Sequence, residues 1–413
     1  GQVEFFAETD AHSLASLRDE KEFRDQVNIH REKVRFYFNQ EPVTFRNTEL
    51  VYSDRIGELV HDMGFQVMLT EGAKHILGWK SANYLYCNAV NPKLKVLLRN
   101  FPLSDDIAFR FSQKSWSEWP LTAAKFAGWL QKVNPQEEVV NLFMDYETFG
   151  EHQDEDTGIM RFLTQMPGRV LRETDFRFRT PGQLANELQP VSAIHVPHPV
   201  SWADEERDLT AWLGNELQDE AFEKLYQLSH KMKDCQNVQL LNDWRYLQTS
   251  DHFYYMCTKW FSDGEVHKYF NPYPSPYEAF INYMNVLSDF AVRVDNYYQS
   301  KKRFEKQKET RRDFVHENIQ AQEAAPAVDW NTIPEVPKIH LKKALRGISA
   351  PQLTSALYQA LPEAKERLVS CLGRRALNEY VSLQPSGDML SPDAVSTARQ
   401  RILELLQEVL SDK

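Results

Sequence analysis

The stretch Asn141-Leu142-Phe143-Met144-Asp145-Tyr146-Glu147-Thr148-Phe149-Gly150-Glu151-His152 passes from an apolar run into acids, aromatics and a glycine. A short apolar run of this kind reads as a buried strand, and a strand that ends in ionisable residues delivers them to the mouth of a pocket. Acids placed there suit proton transfer on a sugar or a similarly polar substrate. Cleavage of a glycosidic bond needs two carboxyl groups, one to protonate the leaving oxygen and one to serve as nucleophile or base. Asp145 suits the first role, because apolar and aromatic neighbours raise the pKa of a carboxyl and keep its proton available. Glu49 is the candidate partner. It follows Val43-Thr44-Phe45-Arg46-Asn47-Thr48, where Arg46 and Asn47 are placed to hold it ionised and oriented. A lone acid after a strand serves equally as a helix cap or a loop charge, so the reading rests on the pair. Glu147, two residues past Asp145, is a supporting residue.

Other residue types fit sugar binding. Trp116 and Trp119 flank Ser117-Glu118 ahead of Pro120, and exposed indoles there would stack on sugar rings; packing into the core is the alternative. Trp202-Ala203-Asp204 and Thr249-Ser250-Asp251-His252-Phe253 set further acids beside aromatics, with Asp251 and His252 suited to sugar hydroxyls or to helix ends. His12, His152 and His252 raise a metal alternative, but none has HxH or HExxH spacing, so no metal is expected. The chain has no GxSxG elbow for acyl hydrolysis and no glycine-rich phosphate loop. No cofactor is expected.

These residues need a scaffold to position them. Over the first 190 residues or so short apolar runs alternate with amphipathic ones. Strands are predicted at Val3–Phe6, Thr44–Phe45, Gln66–Leu69, Lys93–Leu98 and Val139–Met144. Helices are predicted at Glu20–Phe38, from a Ser53-Asp54 cap to Met63 before Gly64, at Leu121–Val133 and at Gly158–Gln165. Such alternation implies a parallel sheet, barrel or doubly wound, with its chemistry at the carboxyl ends of the strands. Glu8, Glu49, Glu71 and Asp145 all follow short apolar runs, which sets several acids at one end of that sheet. From Trp202 to Tyr298 the pattern is helical, at Asp219–Met232, Asn237–Leu247 and Pro276–Tyr297. Ser300–Pro337 is polar and charged, with Lys301-Lys302-Arg303, Arg311-Arg312 and a small-residue stretch Ala321–Ala327, and reads as a linker. Helical periodicity returns at Leu341–Leu345, Leu353–Leu361, Ala364–Leu372 and Ala394–Leu410. The division expected is residues 1–200 for the sheet-bearing part, 201–299 for a helical subdomain completing the site, 300–337 for the linker and 338–413 for a small all-α module open to a protein partner.

The 413 residues suffice for one large domain and a smaller one, and 42% apolar with 26% charged residues is a water-soluble composition. A net charge of −11 disfavours nucleic acid, whose phosphates call for a basic face. No run of about 18 apolar residues is present, so no membrane-spanning helix is expected. Cys87, Cys235, Cys257 and Cys371 form no CxxC pair and read as buried thiols of a reducing, cytoplasmic compartment. The chain opens on Gly1 with no initiator Met.

Four short motifs in order resemble glycoside hydrolase family 57, in its α-amylase-like branch: Gly1-Gln-Val-Glu-Phe-Phe6, Phe45-Arg-Asn-Thr-Glu-Leu50, Met144-Asp-Tyr-Glu-Thr-Phe-Gly150 and Leu247-Gln-Thr-Ser-Asp-His-Phe253. The resemblance covers about residues 1–298. It implies an α/β fold, an incomplete (β/α)7 barrel followed by a helical bundle. It also implies retaining cleavage or transfer of α-1,4-glucans of maltodextrin or glycogen type, with no obligatory metal. By this likeness Glu49 is the nucleophile and Asp145 the general acid/base, while Glu4, His12 and Asp251 line subsites or support the two acids. The family's first motif, His-Gln-Pro on the first strand, is absent, so the chain is expected to be an N-terminally truncated form lacking that strand region. Leu345–Leu410 distantly resembles helical domains of the flagellar motor switch protein FliG, which implies a small protein-binding fold.

Overall fold

The computed structural model describes residues 3–259, 271–323, 328–383 and 390–411. Gly1 and Gln2 of the first motif, and residues 324–327 of the small-residue stretch, lie outside these. The chain divides into two units, Gly1–Tyr298 and Gln299–Lys413.

The first unit is a mixed α/β structure around a five-stranded sheet. Its strands are β1 (Thr44–Arg46), β2 (Val67–Glu71), β3 (Leu85–Asn88), β4 (Lys95–Arg99) and β5 (Ser192–Ile194), in the order β1-β2-β4-β3-β5. β1, β2 and β4 run parallel, with Arg46 opposite Leu69 and Glu71 opposite Arg99. β3 runs antiparallel to β4 and parallel to β5, so the wholly parallel sheet expected from the alternation is corrected to a mixed one. The short connection from Asn88 to Lys95 explains the reversal, since a parallel partner needs a crossover of about a dozen residues. β3 and β5 had no counterpart in the periodicity.

Two expected strands are not strands. Val3–Phe6 is extended without ladder pairing; only Ala7 bridges to Phe45, parallel to β1. Val139–Met144 passes the end of β4 without a ladder. Asn100 N–H donates to the Asn141 carbonyl at 2.9 Å and the Asn141 amide to the Leu98 carbonyl at 2.9 Å. Asn141 therefore replaces a ladder with side-chain bonding, and the segment beyond it is free to turn.

Both sheet faces are covered, which is why β2 is buried at every residue and lacks polar alternation. Phe45, Met68, Tyr86, Val96 and Leu98 face a core shared with helix α1 (Glu20–Phe38), helix α2 (Asp54–Asp62) and the helices Glu216–Gln227, Val238–Leu247 and Pro276–Glu323. Val67, Leu69, Leu85 and Leu97 face the other side with Leu50, Val139 and Ala185. A third cluster gathers Ile107, Phe111, Phe126, Ile159 and Phe162. Helix α1 begins where Asp19 accepts from the backbone of Lys21 and Glu22, and ends at Asn39 in the left-handed region. α2 is capped by Ser53, and Gly64, at φ +92°, turns the chain beyond it.

Helix Pro276–Glu323 runs on through residues 300–323, which the sequence presented as a polar linker. In the second unit, helices Lys338–Ala344, Ala350–Ala356, Pro362–Val369, Arg374–Ser382 and Pro392–Ser411 enclose a core of their own, built on Leu341, Leu353, Leu368, Ile402 and Leu406. Among the described residues no helix is long and apolar enough to cross a membrane.

Candidate active site

The carboxyl ends of the Ala7 segment, β1, β2 and β4 lie side by side, so Glu8, Glu49, Glu71 and Arg99 emerge along one edge of the sheet. The chain turns sharply after β1. Asn47 donates its amide to the Val51 carbonyl at 2.9 Å and to Ser16 Oγ at 3.0 Å, and Thr48 Oγ1 lies 2.6 Å from Thr9 Oγ1. Within the turn Glu49 and Leu50 hold φ of 58° and 52°. A left-handed backbone costs a residue with a Cβ about 1–2 kcal/mol, and such positions cluster at functional sites. Burial of Leu50 against Val67, Leu69, Leu85 and Leu97 offsets the cost. His12, Asp204 and Arg207 are also at positive φ.

Glu49 is held by three donors. Its Oε1 lies 3.1 Å from His12 Nε2 and 2.9 Å from Ser250 Oγ, and its Oε2 accepts from the Trp202 indole N–H at 2.9 Å. Burial pushes its pKa up. The bond and charge of His12, the charge of Arg46 and the Trp202 N–H outweigh that and hold it below the usual range. His12 Nδ1 lies 2.6 Å from Glu8 Oε1, and Glu8 Oε2 accepts from Arg46 at 3.2 Å. Burial alone would discharge His12, but bonds to Glu49 and Glu8 at its two nitrogens raise it to about 10. The ring is therefore an imidazolium donating to a carboxylate on each side.

Asp145 shares the charge of Arg46 with Glu49 but shifts the opposite way. Burial and the neighbouring charge of Glu147 raise its pKa; Arg46 opposes them and Glu49 adds to the rise. Asp251, on the helix Ser250–Tyr254, is raised by burial and by Glu49. The residue itself is exposed. Asp145 and Asp251 each feel the charge of Glu49, which is itself held toward its ionised form while the other two hold protons more readily.

Of the other expected site residues, Arg46 and Trp202 join this group; the Arg46 guanidinium lies 5.0 Å from the Trp202 ring centre. Glu147 is exposed beside Asp145, as is Tyr146. Trp116 packs edge-on to Trp129 at 6.0 Å, against the third cluster; Trp119 is 43% exposed. Asp204 pairs with Lys259 at 3.3 Å. His252 turns away from Glu49, its Nε2 3.0 Å from the Tyr246 carbonyl and its ring against Tyr283. Glu4 sits at the opposite end of β1. It accepts from Thr44 Oγ1 and from Gly182 N–H at 2.8 Å, and lines a separate polar cavity of about 400 Å³ with Gln40, Gln66 and Asn186. Among the described residues no group of three or more His, Cys, Asp or Glu is gathered to hold a metal ion.

Sequence reasoning passed over Ser250 and the ion pairs that Asp105 makes with Arg99 and Arg207. Ser250 stood inside the Thr249–Phe253 motif, and Arg99 carried the same signal as the acids, a charge closing an apolar strand.

The family model described as glycosyl hydrolase family 57 matches residues 1–197. A curated relative from Methanocaldococcus jannaschii, described as a "Putative alpha-amylase", is 42% identical over 305 residues, covering 71% of this chain and 64% of its own. The chain therefore spans less than two thirds of that relative's length. Among solved structures, a GH57-type branching enzyme from Pyrococcus horikoshii superposes with a TM-score of 0.54 at 15% identity, covering 72% of this chain and 66% of its own. A GH57 branching enzyme from Thermococcus kodakaraensis gives 0.49 at 14% identity, covering 72% and 70%. With the ordered motifs and the sheet-edge acids in place, residues 1–197 resemble glycosyl hydrolase family 57.

Proposed function

We propose that this protein is a retaining glycosidase that cleaves α-1,4-glucosidic bonds in maltodextrin or glycogen-type glucans. The observation that carries the reading is that Glu49, with His12, Ser250 and Trp202 on its oxygens, is held toward its ionised form, while Asp145, which feels the charge of Glu49, is held toward its protonated form. Retaining cleavage asks for that division of roles. The five-stranded sheet is taken as part of an incomplete (β/α)7 barrel, whose carboxyl edge presents the acids.

In this mechanism Glu49 Oε attacks the anomeric carbon while Asp145 gives its proton to the departing glycosidic oxygen. The sugar is then esterified to Glu49 and Asp145 is left ionised. Asp145 next takes a proton from water as the water oxygen displaces Glu49, which restores both groups. His12 and Trp202 hold Glu49 in its attacking direction, and Asp251 is placed to meet a sugar hydroxyl. Tyr146, exposed next to Asp145, offers a face for a sugar ring.

Glu49→Gln keeps the shape and loses the nucleophile. It is expected to lower the rate on maltooligosaccharides by at least about 10³-fold, as loss of a covalent nucleophile does. An unchanged rate would remove Glu49 from the role. Product analysis with added glucose or maltose separates outcomes: free reducing ends mark hydrolysis, and elongated or branched products mark a 4-α-glucanotransferase or branching enzyme using the same acids. Tight glucan binding without cleavage would mark a non-catalytic glucan-binding protein.

A further inference from the structure

We infer that Arg99 is a positioning residue that holds the Glu49 side of the site and the Asp145 side in register. The inference rests on the glycosidase reading above.

Arg99 closes β4 and is buried, its side chain 3% exposed. All three of its guanidinium nitrogens donate. Nε donates to the Phe143 carbonyl at 2.7 Å, Nη1 to Glu71 Oε2 at 3.0 Å and Nη2 to Asp105 Oδ1. Phe143 lies two residues before Asp145, in the segment that has left ladder pairing. A guanidinium N–H thus does for this stretch what a neighbouring strand would otherwise do. On its other side the Arg99 guanidinium lies 5.7 Å from the ring centre of Trp202, within the range of cation–π attraction. Trp202 is the residue whose N–H fixes Glu49 Oε2.

The connection is reinforced through Asp105. Its Oδ2 lies 3.5 Å from Arg207 Nη2, and Arg207 Nη1 donates to the Trp202 carbonyl. Arg99 and Arg207 therefore bracket Trp202 from ring and backbone, with Asp105 between them. Glu71 completes these ion pairs, its other oxygen taken by Gly72 N–H at 2.7 Å. β2 and β4 come together closely here: a Cβ on Gly72 would stand 2.4 Å from the Arg99 carbonyl oxygen. The same guanidinium thus binds the segment that leads to Asp145 and lies within cation–π range of the indole that holds Glu49. A buried ion pair that only filled the fold would need Glu71 and Asp105; it would have no use for Phe143 or Trp202.

The test compares Arg99→Lys with the wild-type chain on maltooligosaccharides. Lysine keeps a positive charge beside Glu71 and Asp105 but lacks the planar fork that serves three directions. A misplacement of about 1 Å between reacting groups costs on the order of 10²-fold, so kcat is expected to fall about 10- to 100-fold with KM little changed. The acid limb of kcat/KM is expected to move to higher pH as Trp202 loosens its hold on Glu49. A folded Arg99→Lys chain, checked by circular dichroism and thermal unfolding, with wild-type kcat and an unmoved acid limb would overturn the inference. So would a change confined to KM. Should that variant not fold, Asp105→Asn decides by the same readings. It leaves Arg99 its bonds to Glu71 and Phe143, and is expected to shift the acid limb the same way with a smaller loss of kcat. Wild-type chain inactive on glucans would sink the glycosidase reading and this one together; active wild type with indifferent variants would sink this one alone.

Discussion

At the scale of single residues, the site is a contest between burial and bonding, and the two acids come out on opposite sides. Burial raises every carboxyl there; what distinguishes Glu49 is His12, Ser250 and Trp202 around its two oxygens. His12 makes a prediction with a sign. Its pKa in the folded chain is about 10 against an ordinary 6.5, so the stability it adds is full below about pH 6.5 and is lost as pH rises through about 10. Glu8 and Glu49 are held below 4.5, so their contribution is present above that value and is lost as pH falls. His12→Gln should therefore lower Tm at neutral pH and close the gap to wild type by pH 10, as measured by thermal unfolding across that range. A gap independent of pH would show that His12 is neutral in the fold. The same variant removes the cation beside Glu49 and is expected to move the acid limb of the rate profile upward. Glu49 and Asp145 were legible as acids closing apolar runs. The His12 to Glu8 bond was not, because residues four apart outside a helix face each other only if the backbone turns, and here His12 sits at φ 48°.

At the scale of elements, local signals worked where one helix or strand could be read alone. Helix α1 spans Glu20–Phe38 as its apolar spacing predicts, and Ser53 caps α2. Ser53→Ala removes the acceptor for Ile56 N–H and is expected to cost about 1 kcal/mol, read from urea unfolding, with kcat unchanged. A larger loss would place the defect beyond the cap. That is a real alternative, because the next residue, Asp54, accepts from Val196 N–H and lies 2.6 Å from His195 Nδ1, tying α2 to the loop that leads to Trp202. Strand reading failed where pairing depends on a neighbour. Val139–Met144 has the composition of a buried strand, yet Asn141 takes its partners with a side-chain amide. β3 and β5 are short, and their pairing with each other joins residues about a hundred positions apart.

At the scale of the whole molecule, two units carry separate cores. Leu406 is fully buried among Leu341, Leu353 and Ile402 in the second. Leu406→Ala is expected to destabilise that unit by about 2–5 kcal/mol through lost burial and the cavity left behind. Calorimetry should show the loss in the second unit's transition while maltooligosaccharide cleavage at moderate temperature is unchanged. Loss of cleavage in the folded variant would mean that the second unit takes part in the reaction. The break between units falls at Tyr298, but the helix that carries it continues to Glu323. Polar composition is compatible with a helix through residues 300–323, since a chain with few apolar residues can still complete its backbone bonds within a helix.

By itself the sequence determined the strand–helix alternation, the water-soluble composition and the acids that close β1 and the Val139–Met144 segment. Each of these depends on contacts along a few neighbouring residues, and periodicity records those contacts. It also placed Glu4 and His252 among the site residues on the strength of motif neighbours. Only the tertiary structure decided that Glu4 lies at the far end of β1, that His252 turns toward Tyr246, and that Ser250, Trp202 and His12 converge on Glu49. Glu49 and Trp202 are 153 positions apart. Bringing them into contact depends on the register of five strands and on two left-handed residues after β1, neither of which local spacing encodes.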